Sequence, residues 1–203
     1  VDQVKIDLPK IRERGTLRAI TTFSSTSYFI YRGQPMGFEY ELLKRLADHL
    51  ELKLEIVLAD NLDNIFDMLL RGEGDIVAHN MTITKERTRL VNFTIPHVTT
   101  HQVLVQRKPE GWRQMKLHEI NRELIRNPVE LIGKTIHVRK NSSYYQRLEN
   151  LSEEIGGDID IVPVEGNLST EQLIRMVAEG EIDYTVADGF DRVLTMLPGG
   201  ALE

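Results

Sequence analysis

Apolar and polar positions alternate over residues 16–21 (Thr-Leu-Arg-Ala-Ile-Thr), a spacing that predicts a strand. A short helix is expected just before it, over 9–14, with Pro9 in its first turn and Gly15 as its stop. From 37 the period changes. Leu42, Leu43, Leu46, Ala47 and Leu50 recur at three- and four-residue steps, which places them on one face of a helix. Alternation returns over 52–58. A second helix is expected over 61–70, with Ile65, Met68 and Leu69 turned inward. Gly72-Glu73-Gly74 ends it, and 75–78 is a third strand. Between 22 and 37 there is no period. That stretch reads as a long loop holding Ser24, Ser25 and Ser27 and the aromatics Tyr28, Phe29 and Tyr31.

After Pro96 the pattern restarts. Strands are expected over 102–106, 134–139, 158–164 and 182–188, and helices over 144–151 and 170–179, the second with Leu173, Ile174 and Val177 inward. Residues 108–130 read as a charged, helical insert carrying Trp112. Each half runs strand, helix, strand, helix, strand, then a polar loop. Residues 69–78 and 176–186 are weakly alike. Crossovers of this length suit parallel sheets. Two α/β lobes facing a common cleft account for the order, and a single doubly wound domain remains the alternative. In either case ligands belong at the carboxyl ends of the strands, here the 22–31 loop, the turn at Asp60 and the 80–87 loop. Tyr28 and Tyr31 then either line a cleft or plug the edge of the core.

Composition narrows the choice. The 203 residues are 41% hydrophobic and 28% charged, enough apolar material for a packed core. A net charge of -6 disfavours a nucleic-acid partner. There is no cysteine, which removes disulfides, thiolate zinc sites and thiol catalysis together. No apolar run reaches the roughly 20 residues that span a bilayer. His97 and His101 are four apart, but Pro96 and the β-branched residues between them oppose a shared helix face, so no metal and no cofactor is assigned.

The stretch 80–97 carries the most chemistry. It follows an apolar strand and offers Thr82, Thr84 and backbone N–H groups before a fixed cation, Arg87. A guanidinium, a hydroxyl and N–H donors are the set that holds a carboxylate. The plainer alternative is a polar loop in which Arg87 is solvated and the threonines cap a helix.

The chain resembles the extracytoplasmic solute-binding proteins of family 3, which have the two-lobed, type II periplasmic-binding-protein fold. The matching pieces are 15–18 (Gly-Thr-Leu-Arg), 37–42 (Gly-Phe-Glu-Tyr-Glu-Leu), 74–76, 82–87 (Thr-Ile-Thr-Lys-Glu-Arg), 91–94, 133–135 and 182–184, in the family's order along nearly the whole chain. Within that group 27–29, 37–48, Asp60-Asn61 and 180–188 are most similar to the solute-binding-like front domain of the membrane-bound lytic murein transglycosylases F. The resemblance implies an α/β protein with lobe 1 over 1–97, lobe 2 over 98–197 and a flexible or cloning-derived tail over 198–203. It implies a small-molecule partner, an amino acid or a muropeptide, and no catalytic residue in this chain. It further implies a lysozyme-like catalytic domain following it in the full-length protein, a place in the periplasm or at the outer membrane, and any membrane anchor lying outside this chain.

The family's site residues carry over to named positions. The carboxylate-binding Arg falls on Arg87, the hydroxyl donor on Thr82 and the aromatic wall on Tyr28 or Phe29. Lobe 2 contributes Arg139, Ser143 at a helix start, and Asp188 as the ammonium partner. Asn80 stands where relatives often have Gly, which alters the backbone's approach to a ligand. The 108–130 insert is longer than the usual connection, and the sequence stops before the family's return strand to lobe 1. An amino-acid transporter's binding protein is the first alternative. A cyclohexadienyl dehydratase-like enzyme, with Glu86 or Asp188 as acid or base, is the second.

Overall fold

The computed structural model describes residues 6–25, 27–164 and 168–189. The chain divides between Thr94 and Ile95 into two compact units.

The first unit runs α1 (Leu8–Arg14), β1 (Thr16–Thr21), β2 (Phe29–Tyr31), β3 (Gln34–Met36), α2 (Phe38–His49), β4 (Lys53–Leu58), α3 (Ile65–Leu70) and β5 (Ile76–Val77), then a 3-10 turn, Arg87–Arg89. Strands β4, β1 and β5 form a parallel sheet in that order, with β1 central. Alternation along β1 decides which helix covers which face. Leu17 packs against Ile11 and Ala47, and Ala19 against Leu43, while Ile20 turns the other way onto Ile65 and Met68 of α3. Ile20 is fully buried, and a Cβ at Gly74 would lie 2.4 Å from its side chain, so the chain is bare where β5 begins. Beside it, Asp75 accepts the Arg18 N–H (2.8 Å) and pairs with Arg14, fastening α1, β1 and β5 with one carboxylate.

Three expectations for this unit are corrected. The 22–37 loop contains the hairpin β2–β3, closed by Arg32 (φ 49°) and Gly33 (φ 78°). The second helix begins only at Ile65, because the Asn61 side chain takes the Asn64 N–H (3.1 Å) into a turn first. On α2 the inward stripe is Glu39, Leu43 and Ala47, whereas Leu42 is 46% exposed.

The second unit runs β6 (Gln102–Gln106), α4 (Leu117–Glu123), β7 (Thr135–Arg139), α5 (Ser143–Ile155), β8 (Asp160–Val164), α6 (Thr170–Glu179) and β9 (Tyr184–Asp188). Its sheet order is β6-β9-β7-β8. Strands β9, β7 and β8 are parallel, but β6 is antiparallel to β9, so the sheet is mixed rather than wholly parallel. One face buries Ile136, Val138 and Val186 against Tyr144 and Leu148 of α5. The other buries Val105 and Ala187 against Leu173, Ile174 and Val177 of α6. Helix α6 keeps its expected limits. The Ser169 hydroxyl caps Gln172 N–H (3.2 Å) at its start, and Gly180 (φ 84°) ends it.

The expected helical insert is instead α4 flanked by 3-10 turns at Trp112–Gln114 and Pro128–Leu131. Gly111 at φ 73° and the prolines break it into pieces. Its far end is tied down by a side chain acting as a strand edge. Buried Gln106 donates to Ile125 O (2.9 Å) and accepts Ile125 N–H (3.0 Å). The expected tail over 198–203 lies outside the described residues.

Candidate functional site

In the first unit the polar loops gather at the carboxyl end of the parallel sheet, as the strand directions require. The loop leaving β1 and the loop leaving β5 approach each other where Thr22 Oγ1 and His79 Nδ1 are 3.5 Å apart. Arg87 is partly exposed in the latter loop. One guanidinium nitrogen, Nη1, donates to the Thr82 carbonyl (2.9 Å), and the Thr84 hydroxyl accepts the Arg87 N–H (3.3 Å). The guanidinium carbon lies 5.9 Å from the centre of the Phe66 ring in the first turn of α3, the helix that follows β4. Arg87 is thus aimed by a carbonyl and a ring, and Thr82 serves it through the backbone. Asn80 is exposed just ahead of this turn.

Glu86, adjacent to Arg87, has its carboxyl held below the usual carboxylate range. Its own backbone N–H is the largest cause and the Thr84 hydroxyl the next, with smaller help from Arg89 and Lys85.

The aromatic positions separate. Tyr28 is buried between Phe23 (5.5 Å) and Tyr40 (5.8 Å), centre to centre. Phe29 is partly exposed and Tyr31 is 54% exposed, with Arg32 over its ring at 5.2 Å. The loop bearing Tyr28 is fixed to the start of α2. Ser27 O accepts the Tyr40 N–H (3.3 Å), and a Cβ on Gly37 (φ 132°) would sit 2.2 Å from that oxygen.

In the second unit Asp188 ends β9 and Ser143 begins α5, whose cap is Ser142, the acceptor of the Tyr145 N–H (3.4 Å). At this corner Asp188 hydrogen-bonds with the Tyr144 side chain. Partial burial pushes its carboxyl above the ordinary Asp value, the Tyr144 bond offsetting part of the rise. Arg139 ends the neighbouring strand but falls on the other face. The β7–β9 register sets His137 opposite Thr185, so alternation puts Arg139 level with Ala187, on the α6 side, and Asp188 on the α5 side. Phe66, Tyr40 and Tyr144 were not foreseen. Each touches a foreseen residue through the fold, and no local spacing in the sequence marks it.

Among the described residues no group of three His, Asp or Glu side chains could hold a metal ion, and no helix is long and apolar enough to cross a membrane.

Two α/β units, each a sheet with helices packed on both faces, fit the class of solute-binding proteins. Residues 19–155 match the family model of bacterial extracellular solute-binding proteins, family 3, and the chain belongs to that family. It is 39% identical over 179 residues to the membrane-bound lytic murein transglycosylase F of Desulfosudis oleivorans, covering 88% of this chain and 36% of that protein. The protein of the same name from Pseudomonas putida is 36% identical over 186 residues, covering 89% and 35%. The chain therefore spans about a third of the length of these relatives. Among solved structures, an ancestral arginine-binding protein bound to arginine is 25% identical with a TM-score of 0.73, covering 94% of this chain and 78% of that one. An ancestral amino-acid-binding protein, a precursor of cyclohexadienyl dehydratase, is 26% identical with a TM-score of 0.74, covering 92% and 76%. The fold is the α/β periplasmic-binding-protein type.

Proposed function

We propose that this chain is the ligand-sensing, non-catalytic part of an envelope protein like the lytic murein transglycosylases F. Its ligand carries both a carboxylate and an ammonium group, as an amino acid or a peptidoglycan-derived peptide does. The observation that carries the reading is the setting of Arg87, a cation aimed by Thr82 O and Phe66 at the sheet edge where such folds take ligands. There it offers a fork that matches a carboxylate, with Thr82 and Asn80 beside it and Phe29 as the aromatic contact. Asp188 at the end of β9 is the contact for the ammonium, with Ser143 at the α5 start as a further polar contact, whereas Arg139 lies on the other face of that sheet and is left out of the set. The amino-acid ligands named for the ancestral neighbours support this chemistry.

The dehydratase alternative needs a general acid or base. Glu86 is poorly suited to act as the acid, since its lowered carboxyl stays ionised near neutrality. Calorimetric titration with the common L-amino acids and a peptidoglycan stem tripeptide tests the proposal. One of these binds the unaltered chain, and Arg87→Ala abolishes that binding while thermal stability changes by less than about 1 kcal/mol, since a partly exposed cation contributes little to the fold. Loss of fold in Arg87→Ala, or binding that survives it, refutes the reading.

A further inference from the structure

The insert between β6 and β7 takes no part in the proposed ligand site, yet it is built to present one surface. Ile120 of α4, Leu124 just after it and Leu131 beyond are buried, and the Gln106–Ile125 pair fastens its far end. What it displays is a partly exposed indole among cations. Lys108 Nζ lies 4.4 Å from the centre of the Trp112 ring and the Arg113 guanidinium carbon 5.1 Å from it. Lys116 is exposed close by in sequence, and Leu117, the first residue of α4, is 72% exposed. From Lys108 to Leu117 there are three cations against one carboxylate, Glu110, in a chain of net charge -6. The next acid, Glu119, turns back to accept the Lys116 N–H (2.7 Å).

We infer that this face docks on an anionic phospholipid surface. Indole and a neighbouring aliphatic side chain suit the headgroup boundary, and the surrounding cations answer the negative potential of such a leaflet. Charge complementarity selects this occupant. A cation-flanked ring on an otherwise acidic molecule is attracted where the surface is anionic, while the rest of the molecule is held off. The inference is independent of which solute the sheet edges bind.

Trp112 is the chain's single tryptophan, so its emission reports the contact directly. The experiment adds phosphatidylcholine vesicles, with and without phosphatidylglycerol, to the full chain at low salt. Phosphatidylglycerol vesicles shift the emission to the blue, brominated lipid quenches it, and added salt reverses both effects. Pure phosphatidylcholine does neither. The triple variant Lys108→Ala, Arg113→Ala, Lys116→Ala, at one partly exposed and two exposed positions, keeps the reporter and weakens partitioning on the order of a hundredfold. The salt reversal in the unaltered chain gives the same information should that variant fail to fold. Any of four results overturns the inference: no shift with anionic vesicles, co-sedimentation without a change in Trp112 emission, triple-variant binding equal to the original, or an equal shift from soluble poly-glutamate.

Discussion

Asp188 has a carboxyl raised by partial burial, and that direction fixes how it acts on stability. The native state holds its proton at pH values where the unfolded chain has lost it. Its contribution is therefore most favourable below the ordinary Asp range and declines as pH rises through the raised native value. Asp188→Asn should accordingly stabilise the ligand-free protein at neutral pH, by less than about 1 kcal/mol because the group is only half withdrawn from water. The gain should vanish in acid, as melting curves at two pH values would show. An unchanged or lower melting temperature at neutral pH would contradict this. The same substitution should abolish binding of an ammonium-bearing ligand, so stability and affinity move in opposite directions. Tyr144→Phe should raise the Asp188 pKa further, because it removes a donor to the ionised form, and carbon-13 NMR of that carboxyl would read the change.

Among the elements, the fastenings are single side chains that stand in for backbone. Gln106 closes two hydrogen bonds with Ile125 from a buried position. Gln106→Leu leaves a backbone N–H and a C=O without partners, a loss of about 2–5 kcal/mol in denaturant titration. A loss under 1 kcal/mol would show that the insert is held elsewhere. Gly37→Ala should cost a similar amount, since its Cβ would overlap Ser27 O and its φ of 132° suits only glycine. This scale also shows why some elements were legible and others not. Helix α6 has a capping box, an apolar stripe and a glycine stop that agree, and its limits follow from them. Helix α3 lost its first turn to the Asn61 side chain, which competes with the helix for the Asn64 N–H. Strands β2 and β3 have three residues each, too few to show a period, so only the turn at Arg32-Gly33 marked them. Of the candidate site, Arg87 is legible as a cation in a threonine-bearing loop after a strand, and Asp188 only through the family resemblance. Tyr144 and Phe66 meet them only through the fold, and the opposite facing of Arg139 and Asp188 depends on a register that no local pattern states.

For the whole molecule, each unit has its own core, so unfolding need not be a single step. Trp112 reports the second unit alone, while far-ultraviolet circular dichroism reports both. Without ligand the two signals should give denaturant curves that do not coincide. A bound solute at a hundred times its Kd should stabilise the unit that holds it by about 2.7 kcal/mol. Coincident curves without ligand would show that the units already unfold together.

The first and last described strands of the second unit, β6 and β9, run side by side, and Gly189 N–H meets His101 O at 2.9 Å. Residues 101 and 189 thus lie side by side, about a strand's spacing apart. Residues 101–189 form a cassette that an engineer could splice into a surface turn of a fluorescent host without long spacers, with Asp188 at the seam where a change in the guest would be felt by the host.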